Sequence, residues 1–374
     1  MSDTEERTPE ADTRSAAPDA TDAPDPTDAP DPPEAAPTLA GPVGAREILW
    51  KGLDLNLAAS RDVRAAAILI GLLSLAAAGP LVAAIIAFAN RVDRLAPSGF
   101  TDDLKAIEAI QGSRNLVLLL LLIALPCLVA LSIDSQLLAV DVIARRATGR
   151  RFALRSSLAI VRIRFWRLLR ANILIGLILL VPRALIEGFV APGGVVRESQ
   201  FLTVTALGVI LSIPFAYVAT WIVLGQVGAR ESVRRSWRMA RQRPSLAIVI
   251  AIINTLFQTV AIFALGVAAD LLFRLADALG LASASGAGLL PLIVVVGLGI
   301  AAGGSLVMTI AALTAGPQVV AFLRLTGDAS GLDALGDPDN PFATARTEPL
   351  VTRPMLVALL VELGFAAIAV VQML

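Results

Sequence analysis

Apolar runs long enough to cross a lipid bilayer dominate the sequence after residue 41. Three of these runs, at 65–89, 201–224 and 246–269, contain no charged residue. A helix needs about 20 predominantly apolar residues to cross the hydrocarbon core. Together with 56% hydrophobic residues and a mean hydropathy of +0.76, these runs predict an integral membrane protein whose fold is all-α.

Three further runs bring the predicted number of spans to six. Residues 116–133 are uncharged, and the apolar pattern continues past Asp134, whereas 171–190 includes Arg183 and Glu187. The uncharged stretch 278–323 is too long for one crossing, so we expect a loop at 283–288 and a helix that starts near Leu289. Residues 355–374 have the length of a seventh span, although Glu362 interrupts them. The sequence therefore predicts a polytopic bundle of six or seven transmembrane helices.

Arginines set the expected orientation of the bundle. Residues 141–170 contain nine arginines and one acid, and residues 227–244 contain six arginines and one acid. In contrast, the four cations of 91–114 are balanced by four acids. Because cytoplasmic loops of membrane proteins carry an excess of Lys and Arg, we expect the two basic segments and the N-terminus to face the cytoplasm of a cell-membrane protein.

The domain organisation follows from the changes in composition. Residues 1–40 contain eleven acidic residues and eight prolines, which predicts a disordered cytoplasmic tail. This tail could act as a solvating tether or dock on a basic protein partner. It precedes a membrane domain at 41–325, a cytoplasmic linker at 326–354 and the candidate seventh helix.

Missing residue types exclude many chemistries. The chain has no histidine, one cysteine (Cys127) and two lysines (Lys51 and Lys105), and both lysines lie outside the apolar runs. Histidine-based zinc and haem sites, Ser-His or Cys-His relays, iron–sulfur clusters and internal disulfides therefore lack their usual groups. We expect a protein that is not an enzyme, with no cofactor, no metal and no nucleic-acid partner.

A basic pattern recurs before the odd-numbered spans. Two copies place tryptophan before an Arg-x-x-Arg pair, and a third copy lacks the tryptophan. Residues 154–170 also alternate apolar and arginine faces, as an amphipathic interfacial helix would. We therefore predict three hairpins, each with a cytoplasmic interfacial helix. The candidate lipid-headgroup residues are Arg61, Arg64, Trp166, Arg167, Arg170, Trp237, Arg238 and Arg241. Simple anchoring by basic residues remains the alternative interpretation.

The segment around the copy that contains Trp237 also carries a family resemblance. Pro214, Gly228, Glu231, Ser232 and the run Arg-Arg-Ser-Trp-Arg at 234–238, with Gly-Arg-Arg at 149–151 as a weaker counterpart, resemble bacterial six-helix membrane domains. That family includes the membrane domain fused to some glycerophosphodiester phosphodiesterases and related uncharacterised membrane proteins. The resemblance covers about residues 45–325 and implies a fold and a membrane setting, without catalytic residues.

Charged residues within the apolar runs are the second candidate site. Arg183 and Glu187 stand four residues apart in the third span, so they could line a pathway or neutralise each other. Asp134 and Glu362 lack a partner in their own segments, and either could pair with Arg183. Asp270 and Arg274 repeat the spacing at the end of the fifth span, where a simple surface pair is expected.

Two motifs concern helix packing. Gly299-x-x-x-Gly303, beside Gly304 and Ser305, permits close contact between helices and favours packing inside the bundle. Five prolines, at positions 80, 126, 182, 214 and 317, fall within spans and should kink them.

Three functions remain open on this sequence. We favour a noncatalytic protein that binds or organises anionic lipid, or a lipid-linked intermediate, at the inner membrane face. The alternatives are a secondary transporter or lipid translocase that uses the buried charges, and an accessory subunit of a membrane complex.

Overall fold

The computed structural model describes residues 44–95, 104–190, 198–278, 289–333 and 349–373. The predicted acidic tail at 1–40 and the predicted loop at 283–288 lie outside these ranges. Within them the chain forms helices and turns, with no strand, as the all-α prediction requires. The helices are α1 (Ala45–Ala58), α2 (Ser60–Leu95), α3 (Leu104–Ala147), α4 (Leu154–Val190), α5 (Glu198–Ser212), α6 (Val218–Val223), α7 (Ala229–Gln242), α8 (Pro244–Ala278), α9 (Leu289–Thr326), α10 (Ser330–Asp333) and α11 (Arg353–Met373).

Six helical segments are long and apolar enough to cross a membrane, so the prediction of six spans is confirmed. They are Ser60–Ile85, Val117–Ala147, Leu154–Pro182, Thr205–Val223, Pro244–Ala268 and Val294–Thr326. The candidate seventh span forms α11, whose apolar stretch Met355–Ile368 is shorter than the other six. This arrangement is that of a multi-pass membrane protein.

The predicted interfacial helix at 154–170 and the predicted fourth span both differ from their predicted form. The predicted interfacial helix at 154–170 is not separate, because α4 runs without interruption from Leu154 to Val190. The fourth span is interrupted by a 3-10 turn at Ile213–Phe215 between α5 and α6. Of the five prolines, Pro214 lies in this interruption, whereas the other four lie inside continuous helices.

Buried side chains concentrate at one end of the bundle. We call this region the basic end; it comprises α1, α6, α7, α10, the last turns of α3 and α9, and the first turns of α4 and α8. Its core includes Ile143, Leu168, Ile222 and Phe322, each at most 1% exposed. We call the far parts of α2, α3, α4, α8 and α9 the opposite end. Among the described residues, a small cluster around Leu120 there joins α2, α3 and α11.

Small residues let α2 and α9 approach closely. A side chain at Gly71 would overlap the Ser305 hydroxyl, and one at Gly304 would overlap Ser74. Ser305 Oγ donates a hydrogen bond of 3.0 Å to the Ala67 carbonyl. The small residues predicted to favour internal packing therefore include a pair, Gly304 and Ser305, that faces α2 within the same chain.

The segment after α9 does more than connect two helices. Gly331 in α10 donates its backbone N–H to the Leu224 carbonyl over 2.8 Å. A side chain at Gly331 would overlap the carbonyl oxygens of Val223 and Leu224, so only glycine permits this approach. Leu332 is 1% exposed. Part of the predicted linker at 326–354 is thus packed into the basic end.

Candidate functional site

Helix α7 is a basic helix with one buried face. It buries Ser232, Val233, Ser236, Met239 and Ala240 against the bundle. These five residues are spaced one, three, three and one positions apart along the chain. This spacing places their side chains on one side of a helix. The arginines of α7 lie mainly on the remaining surface, which is accessible.

Ser236 joins α7 to the interruption in the fourth span. The Tyr217 backbone N–H donates to Ser236 Oγ over 3.1 Å, and Ser236 Oγ donates to the Pro214 carbonyl over 2.7 Å. Ending a helix inside an apolar span frees backbone groups that need new partners. One hydroxyl satisfies a donor and an acceptor at once, and it thereby fixes α7 against the 3-10 turn.

A cavity of about 370 Å³ lies along the exposed side of α7. Val233, Arg234, Trp237, Arg238 and Arg241 line it. The structure therefore brings three of the predicted headgroup residues to one site, and it adds Val233 and Arg234 to them.

Aromatic contacts hold the tryptophan of this cavity in place. Trp237 packs edge-on against Phe215 of the 3-10 turn, with ring centroids 6.2 Å apart. The Arg241 guanidinium lies 5.6 Å from the centre of the Trp237 ring, within the range of a cation–π contact. The interruption of the fourth span thus supplies a rigid support for the cavity.

Glu231 pairs with two arginines in the N-terminal half of α7. Its carboxylate lies 2.8 Å from Arg234 Nη2 and 2.7 Å from Arg235 Nε. Hydrogen bonds from Arg234 and Arg235 lower the pKa of Glu231 to about 2. Arg235 also lies over the Trp221 ring, 5.0 Å from its centre. Glu231 is therefore charged throughout the physiological range.

The remaining predicted headgroup residues lie on other surfaces. Trp166 is 62% exposed, and Arg170 beside it on α4 is also exposed. Arg167 instead donates a hydrogen bond of 3.0 Å to the Gln226 carbonyl in the loop before α7. Arg61 and Arg64 are exposed at the start of α2, where Arg64 Nε donates to the Ser60 carbonyl.

Arg164 is a buried residue that the sequence reasoning did not single out. The residue is 3% exposed, and its guanidinium donates to the Val223 carbonyl and, over 2.6 Å, to the Gly331 carbonyl. It therefore joins α4 to the C-terminal end of α6 and to α10. A cation at a helix C-terminus interacts favourably with the free carbonyls there. Arg164 lies three residues before Arg167 in the same basic run, and its position in that run does not reveal its burial.

A buried ion pair in α3 was also not singled out. Arg145 Nε lies 2.9 Å from Asp141 Oδ2, and both side chains are at most 1% exposed. Among the described residues, Asp141 Oδ1 has no hydrogen-bond partner. The spacing of four residues within a basic helix end was the available sequence signal.

The structure describes two of the four predicted intramembrane charged side chains, those of Asp134 and Glu362. The side chains of Arg183 and Glu187 lie outside the described part of the structure, so a pairing of Asp134 or Glu362 with Arg183 stays a prediction. Asp134 Oδ1 is buried and has no hydrogen-bond partner among the described residues. Glu362 is fully buried, and neither of its oxygens has a partner among the described residues.

An apolar cavity of about 610 Å³ lies between α2, α9 and α11. Its lining includes Gly79, Gly297, Leu359 and Leu363, and every lining residue is apolar.

Comparisons of the chain with protein-family models, with curated proteins and with solved structures found no match. The functional argument therefore depends on the geometry of the basic end.

Proposed function

We propose that this protein is a noncatalytic membrane protein that binds or organises anionic lipid, or a lipid-linked intermediate, at the inner face of the cell membrane. The α7 cavity supports this proposal. It combines Arg238 and Arg241 with Trp237, and guanidinium groups bind phosphate oxygens while tryptophan favours the headgroup layer.

The experiment is native mass spectrometry of protein extracted gently with its lipids. Arg238→Gln with Arg241→Gln should abolish retention of an anionic lipid. The matched control is Arg155→Gln with Arg243→Gln, which removes the same charge from exposed positions outside the cavity. Equal lipid retention by the two double variants would contradict the proposal, because it would indicate attraction by total charge alone.

The orientation has its own test. In a Cys127→Ser background, a cysteine introduced by Arg243→Cys should react with a membrane-impermeant maleimide in inverted vesicles and not in right-side-out vesicles. The reverse labelling would place the basic end, and the N-terminus with it, outside the cytoplasm.

A secondary transporter or lipid translocase is the second candidate. Glu362 favours it, because a fully buried carboxyl without a described partner is unusual in an apolar helix unless it serves a pathway. The test is translocation of a fluorescent lipid in proteoliposomes. Glu362→Gln should slow translocation and leave lipid retention unchanged, whereas an unchanged translocation rate would exclude this role for Glu362.

A further inference from the structure

The α7 cavity carries two positive charges without a carboxylate partner among the described residues. Of its three arginines, Arg234 is paired, with Nη2 2.9 Å from Glu231 Oε1 and 2.8 Å from Oε2. Arg241 contacts the Trp237 ring, which leaves its charge uncompensated. Arg238 lines the cavity and has no acidic partner in the described ranges. The cavity therefore has two uncompensated positive charges, those of Arg238 and Arg241.

Helix geometry keeps these two cations together. Arg238 and Arg241 are three residues apart in α7, a spacing that places Cβ atoms about 5–6 Å from each other. Like charges at this spacing repel, and a ligand that lies between them relieves the repulsion. An anion with two negative charges compensates both guanidinium groups, whereas an anion with one negative charge leaves the site with a net positive charge.

Building on the proposed function, we propose that the α7 cavity selects lipids with a phosphate monoester headgroup over lipids with a phosphate diester headgroup. A monoester presents three terminal oxygens to the two guanidinium forks, and a diester presents two. The ligand is a lipid and not a free phosphate ester, because Val233 and Trp237 form part of the same lining and Trp237 is 40% exposed.

The ligand's own ionisation gives this proposal a pH dependence. Phosphate monoesters lose their second proton with a pKa of about 6, so they are dianions above that value and monoanions below it. Phosphate diesters have no such step. Selectivity should therefore be present at pH 7.5 and decline toward pH 5.

No histidine, and no carboxyl with a pKa in that range, is described around the cavity. The chain contains no histidine, and hydrogen bonds from Arg234 and Arg235 hold the pKa of Glu231 at about 2. The 3-10 turn and α6 contain no charged residue, and the part of α4 that packs near α7 contributes arginines, among them Arg164 and Arg167. In α8, Asp270 pairs with Arg274 far along the helix.

The test measures quenching of Trp237 fluorescence in nanodiscs of phosphatidylcholine. The protein carries Trp50→Phe and Trp166→Phe, which removes the two other exposed tryptophans and leaves the half-buried Trp221 in addition to Trp237. One set of discs contains phosphatidic acid with brominated acyl chains, and the other contains brominated phosphatidylglycerol at the same mole fraction. We expect about fivefold stronger apparent binding of phosphatidic acid at pH 7.5, and near-equal binding at pH 5.

The possible outcomes separate this proposal from the proposed function. Equal quenching by the two lipids at pH 7.5, lost in the variant with Arg238→Gln and Arg241→Gln, would overturn the selectivity and leave anionic-lipid binding intact. Quenching by neither lipid would overturn both. Displacement of phosphatidic acid by soluble glycerol 3-phosphate would overturn the assignment of a lipid ligand. Retained selectivity in the variant with Arg155→Gln and Arg243→Gln is the expected control result.

Discussion

Each end of the bundle has an aspartate–arginine ion pair, and the two pairs lie in different environments. Asp141 and Arg145 are 2.9 Å apart at the basic end and at most 1% exposed, whereas Asp270 and Arg274 are 2.8 Å apart at the opposite end and 59% and 76% exposed. Both pairs are separated by four residues on one helix. The distance and the spacing are thus nearly equal, and burial is the property that differs.

This difference reflects how each end is stabilised. At the basic end, helices pack around a continuous core, and buried arginines donate to backbone carbonyls, as Arg164 does. At the opposite end, large apolar side chains face outward, where hydrocarbon solvates them as well as a protein core would. Burial therefore contributes to stability mainly at the basic end, and close contact of small residues contributes along the spans.

The largest expected effect comes from breaking the buried pair. Asp141→Ala leaves Arg145 buried without its carboxylate and should lower the free energy of unfolding by roughly 4 kcal/mol. Asp270→Ala breaks the exposed pair and should cost less than about 1 kcal/mol. Thermal or denaturant unfolding in one detergent measures both variants.

A double variant separates pairing from packing. Asp141→Leu with Arg145→Leu removes both charges, and it should recover most of the stability that Asp141→Ala loses. Equal costs for Asp141→Ala and Asp270→Ala would show that burial does not distinguish the two ends.

A second prediction compares two leucines of α4. Leu168 is 1% exposed in the basic-end core, and Leu177 is 63% exposed farther along the same helix. Leu168→Ala should destabilise the protein by about 3 kcal/mol, because it leaves a cavity, whereas Leu177→Ala should change stability by less than about 0.5 kcal/mol. The same unfolding assay applies, and comparable losses for both variants would indicate that the opposite end is also tightly packed.

The sequence predicts the spans well for a simple physical reason. Each of the six runs contains enough apolar residues to cross the hydrocarbon, and length and composition are local properties. The tryptophan and arginines of α7 were also found locally, since the pattern at 237–241 stands beside an apolar run. The uncharged stretch 278–323 is divided by a predicted loop at 283–288, and that loop lies outside the described residues.

Contacts between distant segments explain what the sequence could not show. Arg164 lies in a run of nine arginines, and its burial depends on Val223 and Gly331, which are far away in the chain. Pro214 predicted a kink, but the interruption of the span requires Ser236 to satisfy the freed backbone groups. Neither Ser236 nor Gly331 carries a pattern that identifies its role in advance.

A third prediction concerns the contact between α2 and α9. Gly304→Ala places a methyl group against Ser74 and should cost about 2 kcal/mol, because the two helices must separate. Gly266→Ala in α8 is the matched control: apart from its own helix backbone, no described atom lies within 4 Å of the new methyl group. That variant should be neutral or slightly stabilising, since alanine is a better helix former. An equal loss in the control would remove close packing as the explanation.

The smallest expected effect is a pH dependence at α7. Hydrogen bonds from Arg234 and Arg235 lower the pKa of Glu231 from 4.5 to about 2. A carboxyl whose pKa is lower in the folded state stabilises that state above its unfolded pKa, and this stabilisation is lost as the pH falls through the folded value. Because Glu231 is accessible to solvent, the contribution is small and screened by salt.

The measurement is the difference in Tm between the wild-type protein and Glu231→Gln. The difference should be constant from pH 7 down to about 5, narrow between 4.5 and 2, and shrink further in high salt. Asp270→Asn serves as the reference at the opposite end, where the pair with Arg274 is more exposed. A difference for Glu231→Gln that persists unchanged at pH 2 would show that the side chain acts through packing, because most of the charge-dependent stabilisation is lost by then.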